Sequence, residues 1–108
     1  MDAPPVWFAD SLSVLNMSNP IQIYFIYAND CPECNQAKLE VDKAIQDSGV
    51  VCCLRLFDSE KRVAVNIAIE NDIDDIPACV VGNKENVFQA KDITRGNILS
   101  AILSLSSN

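Results

Sequence analysis

The chain has 108 residues, 49% of them hydrophobic and 21% charged, which is enough for one domain around one core and too apolar for a disordered segment. Eight Lys and Arg stand against fifteen Asp and Glu, a net charge of −7, and there is no His, so a polyanion such as nucleic acid is repelled and Cys-His, Ser-His and imidazole-metal chemistry are excluded. The five cysteines fall short of the roughly 8–10% that marks a disulfide-built scaffold, and any chemistry is left to thiols, carboxylates or lysines.

The opening Met1-Asp2-Ala3-Pro4-Pro5 carries an acid where a secretory signal wants positive charge, and no apolar run approaches the roughly 18–20 residues of a membrane span. A cytoplasmic protein without a membrane partner is expected, and in a reducing compartment a close cysteine pair points to catalysis or metal binding rather than to a structural bond.

Trp7, Phe8, Leu12 and Leu15 recur at helical spacing behind Pro4 and Pro5, predicting an amphipathic helix over about 6–16 whose apolar face packs on the core. After a turn-rich break at Asn16–Pro20, Ile21–Tyr27 is dense in β-branched and aromatic residues and reads as a buried central strand. Pro32–Ser48 places Cys34, Ala37, Val41, Ala44 and Ile45 on one face, with Gly49 as its stop, and predicts a helix of about four turns. Val50–Phe57, apolar except for Arg55, is expected as a second interior strand parallel to the first, closing a β-α-β unit over about 21–57. Asp58 or Ser59 can cap a helix over about 59–71 with Val63, Ala64, Ile67 and Ala68 inward, ended by Asp72-Ile73-Asp74-Asp75. Ile76–Val81, a turn at Gly82–Asn86 and Val87–Ala90 predict a hairpin over about 76–90. Thr94 can cap a last helix over about 95–105, with Ile98, Leu99, Ile102 and Leu103 as its stripe. The fold class is therefore α/β, a central sheet of about four strands in a single domain over 1–108.

Cys31-Pro32-Glu33-Cys34 falls where a central strand gives way to a helix. With Cys31 at the cap position, its sulfur faces the unpaired amides of the first turn and the positive end of the helix dipole, which favour thiolate over thiol. Cys31 is the expected nucleophile. Pro32 at the first helical position fixes the turn without losing a hydrogen bond, and Cys34, one turn in and partly covered, is the expected resolving thiol. Thiolate attack on a substrate disulfide followed by displacement by Cys34 is a complete two-electron reduction. Asp30 and Glu33 place negative charge beside the reacting sulfur and oppose the helix-end effect, which points to a reductant; a potential near about −120 mV would contradict that.

The order of elements, the Cys31–Cys34 motif after the first strand, the Asp74-Asp75-Ile76-Pro77 entrance to the hairpin and the closing Ile93–Leu99 segment resemble the thioredoxin and glutaredoxin superfamily over nearly the whole chain. The resemblance implies a thioredoxin-like fold with helices on both faces of a mixed sheet, a cis Pro77 beside the cysteine pair, and an Ile76 main chain that docks substrate by strand addition. It implies an enzyme, a thiol-disulfide oxidoreductase acting on protein disulfides, with no bound cofactor and an upstream thiol reductase; a monomer is expected. The chain departs from the family in places. Asp30 and Phe25 stand where thioredoxins carry a tryptophan and a buried aspartate, and Leu54 where they carry a buried lysine. Pro32-Glu33 is neither the Gly-Pro of thioredoxins nor the Pro-Tyr of glutaredoxins. Asp30 and Gln89-Ala90-Lys91 replace the residues with which glutaredoxins hold glutathione, and no strand is expected ahead of the leading helix.

Two other classes use the same residues: a metal or iron–sulfur protein, which would need Cys52, Cys53, Cys79 or carboxylates to complete about four ligands, and a scaffold that keeps the fold without turnover. Cys52 and Cys53 must point to opposite faces of their strand and read as small core residues. Cys79 lies two residues after Pro77 and also reads as core, with a third redox thiol as the alternative. Asp72, Asp74 and Asp75 lack the spacing of a calcium loop and read as a solvated helix end.

Overall fold

β1 (Ile21–Tyr27) alternates its side chains between two cores, and everything else is arranged around it. Ile23 and Phe25 point to one face and Ile26 to the other, all three buried, as expected for a central strand covered on both sides. The computed structural model describes residues 20–106; the helix expected over about 6–16 lies outside the described residues.

α1 (Pro32–Ser48) begins with Pro32 behind its cap and ends at Gly49, whose φ of 66° is the left-handed stop that glycine takes most readily. Cys34, Ala37, Val41 and Ala44 form its buried stripe. β2 (Cys52–Asp58) returns parallel to β1, with Ile21 opposite Cys52 and Tyr27 opposite Asp58. α2 (Arg62–Glu70) crosses to the second face, where Ala64 and Ile67 meet Ile26 and Ala78. β3 (Ala78–Val81) is buried throughout and antiparallel to β1, and β4 (Val87–Gln89) completes an antiparallel hairpin with it. A 3-10 turn over Ala90–Asp92 leads into α3 (Arg95–Ser106), which packs beside α1 over the first face. The sheet order is β2-β1-β3-β4. This is an α/β fold, a four-stranded mixed sheet with α1 and α3 on one face and α2 on the other.

The junction of α1 with α3 is tied by polar contacts as well as packing. The Arg95 amide, one of the orphan donors at the start of α3, donates to Glu40 Oε1 at 2.8 Å, and the Arg95 guanidinium pairs with Asp47. Thr94 caps the helix as expected, its Oγ1 accepting from the Asn97 amide at 3.1 Å.

The structure corrects several details of the sequence reading. β2 is not interior: among the described residues it is one of the two edges of the sheet, β4 being the other. Its apolar residues still pack, Cys52 and Leu54 on the first core and Phe57 on the second, and the Arg55 guanidinium lies 6.0 Å from the Tyr24 ring centre and 5.7 Å from that of Phe57, two rings that meet edge to face. α2 starts three residues later than expected, at Arg62, with Lys61 at its cap position and no side-chain cap. Asp58 is used elsewhere, its carboxylate accepting from the Glu60 amide at 3.0 Å in a local turn. Val63 is 54% exposed rather than inward, because nine residues of helix present only Ala64 and Ile67 squarely to the sheet. In α3 Leu103 is exposed rather than part of the inward stripe, while Ala101 is buried and Leu105 packs on the core. β3 begins at Ala78, two residues after the expected start, and the return strand gives way to the 3-10 turn at Ala90.

Candidate active site

The motif sits where the C-terminal end of β1 passes into α1. Asp30 adopts a positive φ of 55°, which turns the chain so that Cys31 becomes the cap residue in extended conformation. The Cys34 amide donates to Cys31 Sγ at 3.1 Å. The sulfur thus takes the place of a capping oxygen, and a first-turn amide is positioned where it would stabilise negative charge on Cys31 once the pair is reduced. Cys31 and Cys34 are joined as a disulfide with their Cα atoms 5.2 Å apart. Their surroundings differ: Cys31 is half-buried, whereas Cys34 is 3% exposed and its Sγ accepts from the Ala28 amide at 3.4 Å. The structure therefore covers Cys34 more completely than the sequence suggested, and it gives the outer sulfur to Cys31.

The Ile76-Pro77 peptide bond is cis. Pro77 is buried and its carbonyl accepts from the Ala90 amide at 2.7 Å. The main chain of Ile76 precedes β3 and makes no hydrogen bond with any described residue, so its donor and acceptor are unused by the sheet. The loop ahead of it is pinned by a contact not foreseen from sequence. Gln89 Oε1 accepts from both the Asp74 and Asp75 amides, at 3.0 and 2.9 Å.

Two clefts flank the motif. One, of about 690 Å³, runs between Glu33, Gln36 and Glu40 of α1 and the Asp75-Ile76-Pro77 segment, with Lys91 and Thr94 at its far side. It joins the expected docking residues Ile76 and Pro77 to Glu33 of the motif. The other, of about 470 Å³, is lined by Tyr27, Ala28, Cys34, Lys38, Asp42 and Leu56. Lys38 lies one helical turn beyond Cys34, and its Nζ pairs with Asp42 at 2.9 Å. Lys38 and Asp42 are site residues that sequence reasoning passed over; the i, i+4 spacing from Cys34 was the available signal.

The remaining thiols are core residues. Cys79 is fully buried in register between Phe25 and Phe88, and burial pushes its thiol up from the ordinary 9.0 to about 12. Cys52 is pushed up to about 11, first by burial and then by neighbouring Cys53. Among the described residues no three His, Cys, Asp or Glu side chains converge to hold a metal ion.

No protein-family model and no curated protein sequence matches the chain. Solved structures do. An uncharacterized thioredoxin-like protein from Clostridium perfringens is similar with a TM-score of 0.67 at 21% identity, over 80% of this chain and 71% of that one. Thioredoxin-2 of the malaria parasite, described as a component of its protein secretion machinery, gives 0.58 at 20% identity, over 82% and 86%. A DsbF homologue from Corynebacterium diphtheriae gives 0.53 at 13% identity, over 84% and 75%. The protein has a thioredoxin-like fold. It carries a Cys31–Cys34 pair at the start of the helix that follows the central strand.

Proposed function

We propose that the protein is a thiol-disulfide oxidoreductase that reduces protein disulfides. In its reduced form, Cys31 thiolate attacks one sulfur of a substrate disulfide; a Cys31–substrate disulfide forms, the substrate S–S bond breaks, and the departing sulfur leaves as thiolate and takes up a proton. Cys34 then loses its proton and attacks Cys31 Sγ, which closes the Cys31–Cys34 bond and releases the second substrate sulfur, also to be protonated. The substrate gains two electrons and two protons, and the pair is left oxidised. An upstream thiol reductase must restore the dithiol, and no bound cofactor is needed.

Ile76 docks the substrate through its unused main-chain groups, beside Pro77, and Asp30, Pro32 and Glu33 shape the motif. Lys38, in the cleft that Cys34 shares, provides the positive charge that favours loss of the Cys34 proton. The observation that carries this reading is the asymmetry of two bonded sulfurs, one half-buried and accepting a first-turn amide, the other buried one turn behind it. We further propose a cytoplasmic monomer without a membrane partner and, with its net charge of −7, without a nucleic-acid partner.

Reduction of insulin by dithiothreitol tests the reading. The intact protein is expected to accelerate it, and Cys31→Ser to fall to the uncatalysed rate. Equal rates would contradict an enzymatic role.

A further inference from the structure

We infer that the cleft beside the cysteine pair selects cationic substrates, namely disulfides in peptide segments with Lys or Arg next to the cysteine. The inference rests on the oxidoreductase reading and adds the chemical class of its substrate. The cysteines and Ile76 define where a disulfide would lie; the charges around them define which residues flank it favourably.

Glu33 and Asp75 line this cleft from its two sides, and Asp30 and Asp74 stand close to them in the chain. Asp30 and Glu33 belong to the motif and its approach, and Asp74 and Asp75 to the loop that enters the cis Pro77 bond. All four are exposed, and none forms an ion pair with a described residue. The loop pair is held in position through its amides, which donate to Gln89 Oε1. Glu40 also lines the cleft, but its oxygens are engaged, Oε1 by the Arg95 amide and Oε2 by Gln36 and Lys43. Against these acids the cleft wall offers one ammonium, that of Lys91. The whole chain adds the same sign, with a net charge of −7.

Fields of one sign in a cleft raise the local concentration of opposite charge and speed encounter, and salt screens them within about 10 Å at 0.1 M. A Lys or Arg flanking the substrate cysteine would meet Glu33 on one wall and Asp75 on the other. A flanking acid would meet the same groups with the opposite result. Glutathione disulfide, with more carboxylates than ammonium groups, belongs with the disfavoured class.

The test uses two synthetic peptides with the same intramolecular Cys–Cys loop, flanked by two lysines in one and two glutamates in the other. Reduced full-length protein is mixed with each, and the second-order rate of dithiol loss is followed at about 20 mM and about 300 mM salt. The lysine peptide is expected to react roughly tenfold faster at low salt, with the ratio shrinking severalfold at high salt. The double substitution Glu33→Gln with Asp75→Asn is expected to lower the low-salt ratio toward one. Any effect of Glu33 on the sulfur itself acts on both peptides and cancels in the ratio. Equal rates for the two peptides would overturn the selectivity and leave the oxidoreductase reading standing. A ratio that the double variant does not change would overturn its assignment to these carboxylates. No reaction with either peptide would overturn both readings.

Discussion

Cys31 and Cys34 are three residues apart and share one helical turn, yet an amide points at the first sulfur from the helix and at the second from the preceding loop, and only the first reaches the surface. On the proposed mechanism nucleophilicity and access coincide on Cys31, while Cys79 and Cys52, with burial holding their thiols near 12 and 11, have neither. Brief alkylation of the reduced native protein is expected to label Cys31 first and to leave Cys79 and Cys52 unmodified until denaturant is added, with mass spectrometry of the peptides as the check. Lys38 belongs to the same scale. It sits one turn beyond Cys34 in a shared cleft, so Lys38→Gln is expected to slow the second displacement by roughly three- to tenfold and leave Cys31 alkylation unchanged. Rapid quenching with acid would show the mixed disulfide accumulating in the variant; the same low level in both proteins would remove Lys38 from the mechanism.

At the level of elements, the turn between β3 and β4 illustrates how backbone conformation and packing act together. Gly82 has φ of 79°, and a Cβ placed there would lie 2.5 Å from Leu105 Cδ1 of α3. Gly82→Ala is expected to cost about 1–3 kcal/mol in a denaturant titration, because it combines left-handed strain with a displaced leucine. Combining it with Leu105→Ala relieves the contact and leaves the strain, so an unchanged penalty in the double variant would assign the whole loss to the backbone. The elements most legible in the sequence were those whose signals are local. Cys31 as cap, Pro32 behind it and Gly49 as stop bound α1 at both ends, and the run of β-branched and aromatic residues in Ile21–Tyr27, broken only by Gln22, marks a strand buried on both faces. The position of β2 at the sheet edge was not legible, since Val50–Phe57 has the apolar run of an interior strand and only the fold shows Arg55 lying over two aromatic rings. The start of α2 was misplaced for a related reason. Asp58 and Ser59 both suit a cap, and the turn that claims the Asp58 carboxylate for Glu60 is decided by where β2 ends. At the site, the cysteine pair was readable from its spacing and Pro77 from the resemblance to thioredoxins and glutaredoxins, whereas the cleft joining Cys34 to Lys38, Asp42 and Leu56 depends on β2 and α1 meeting in space.

Across the whole molecule, buried thiols tie stability to pH. A thiol whose native pKa is raised keeps its proton where the unfolded chain has lost it, so its contribution is fully present below about 9 and is lost as pH rises toward 11 for Cys52 and 12 for Cys79. Unfolding free energy is expected to fall over that range, with each thiol adding at most about 1.4 kcal/mol per pH unit to the slope. Cys79→Ala should flatten the decline relative to the parent protein, whatever its effect at neutral pH, and parallel curves would show that Cys79 does not contribute. The proposed disulfide exchange draws on the same architecture in the opposite way, with one sulfur brought out at the mouth of α1 and its partner kept in. The most direct measurement is to mix reduced Cys34→Ser protein with a disulfide-containing protein such as insulin and identify the product by mass. The account expects a stable mixed disulfide through Cys31 that disappears when Cys31 is also replaced by Ser. Failure to form that adduct, or its persistence without Cys31, would contradict the account.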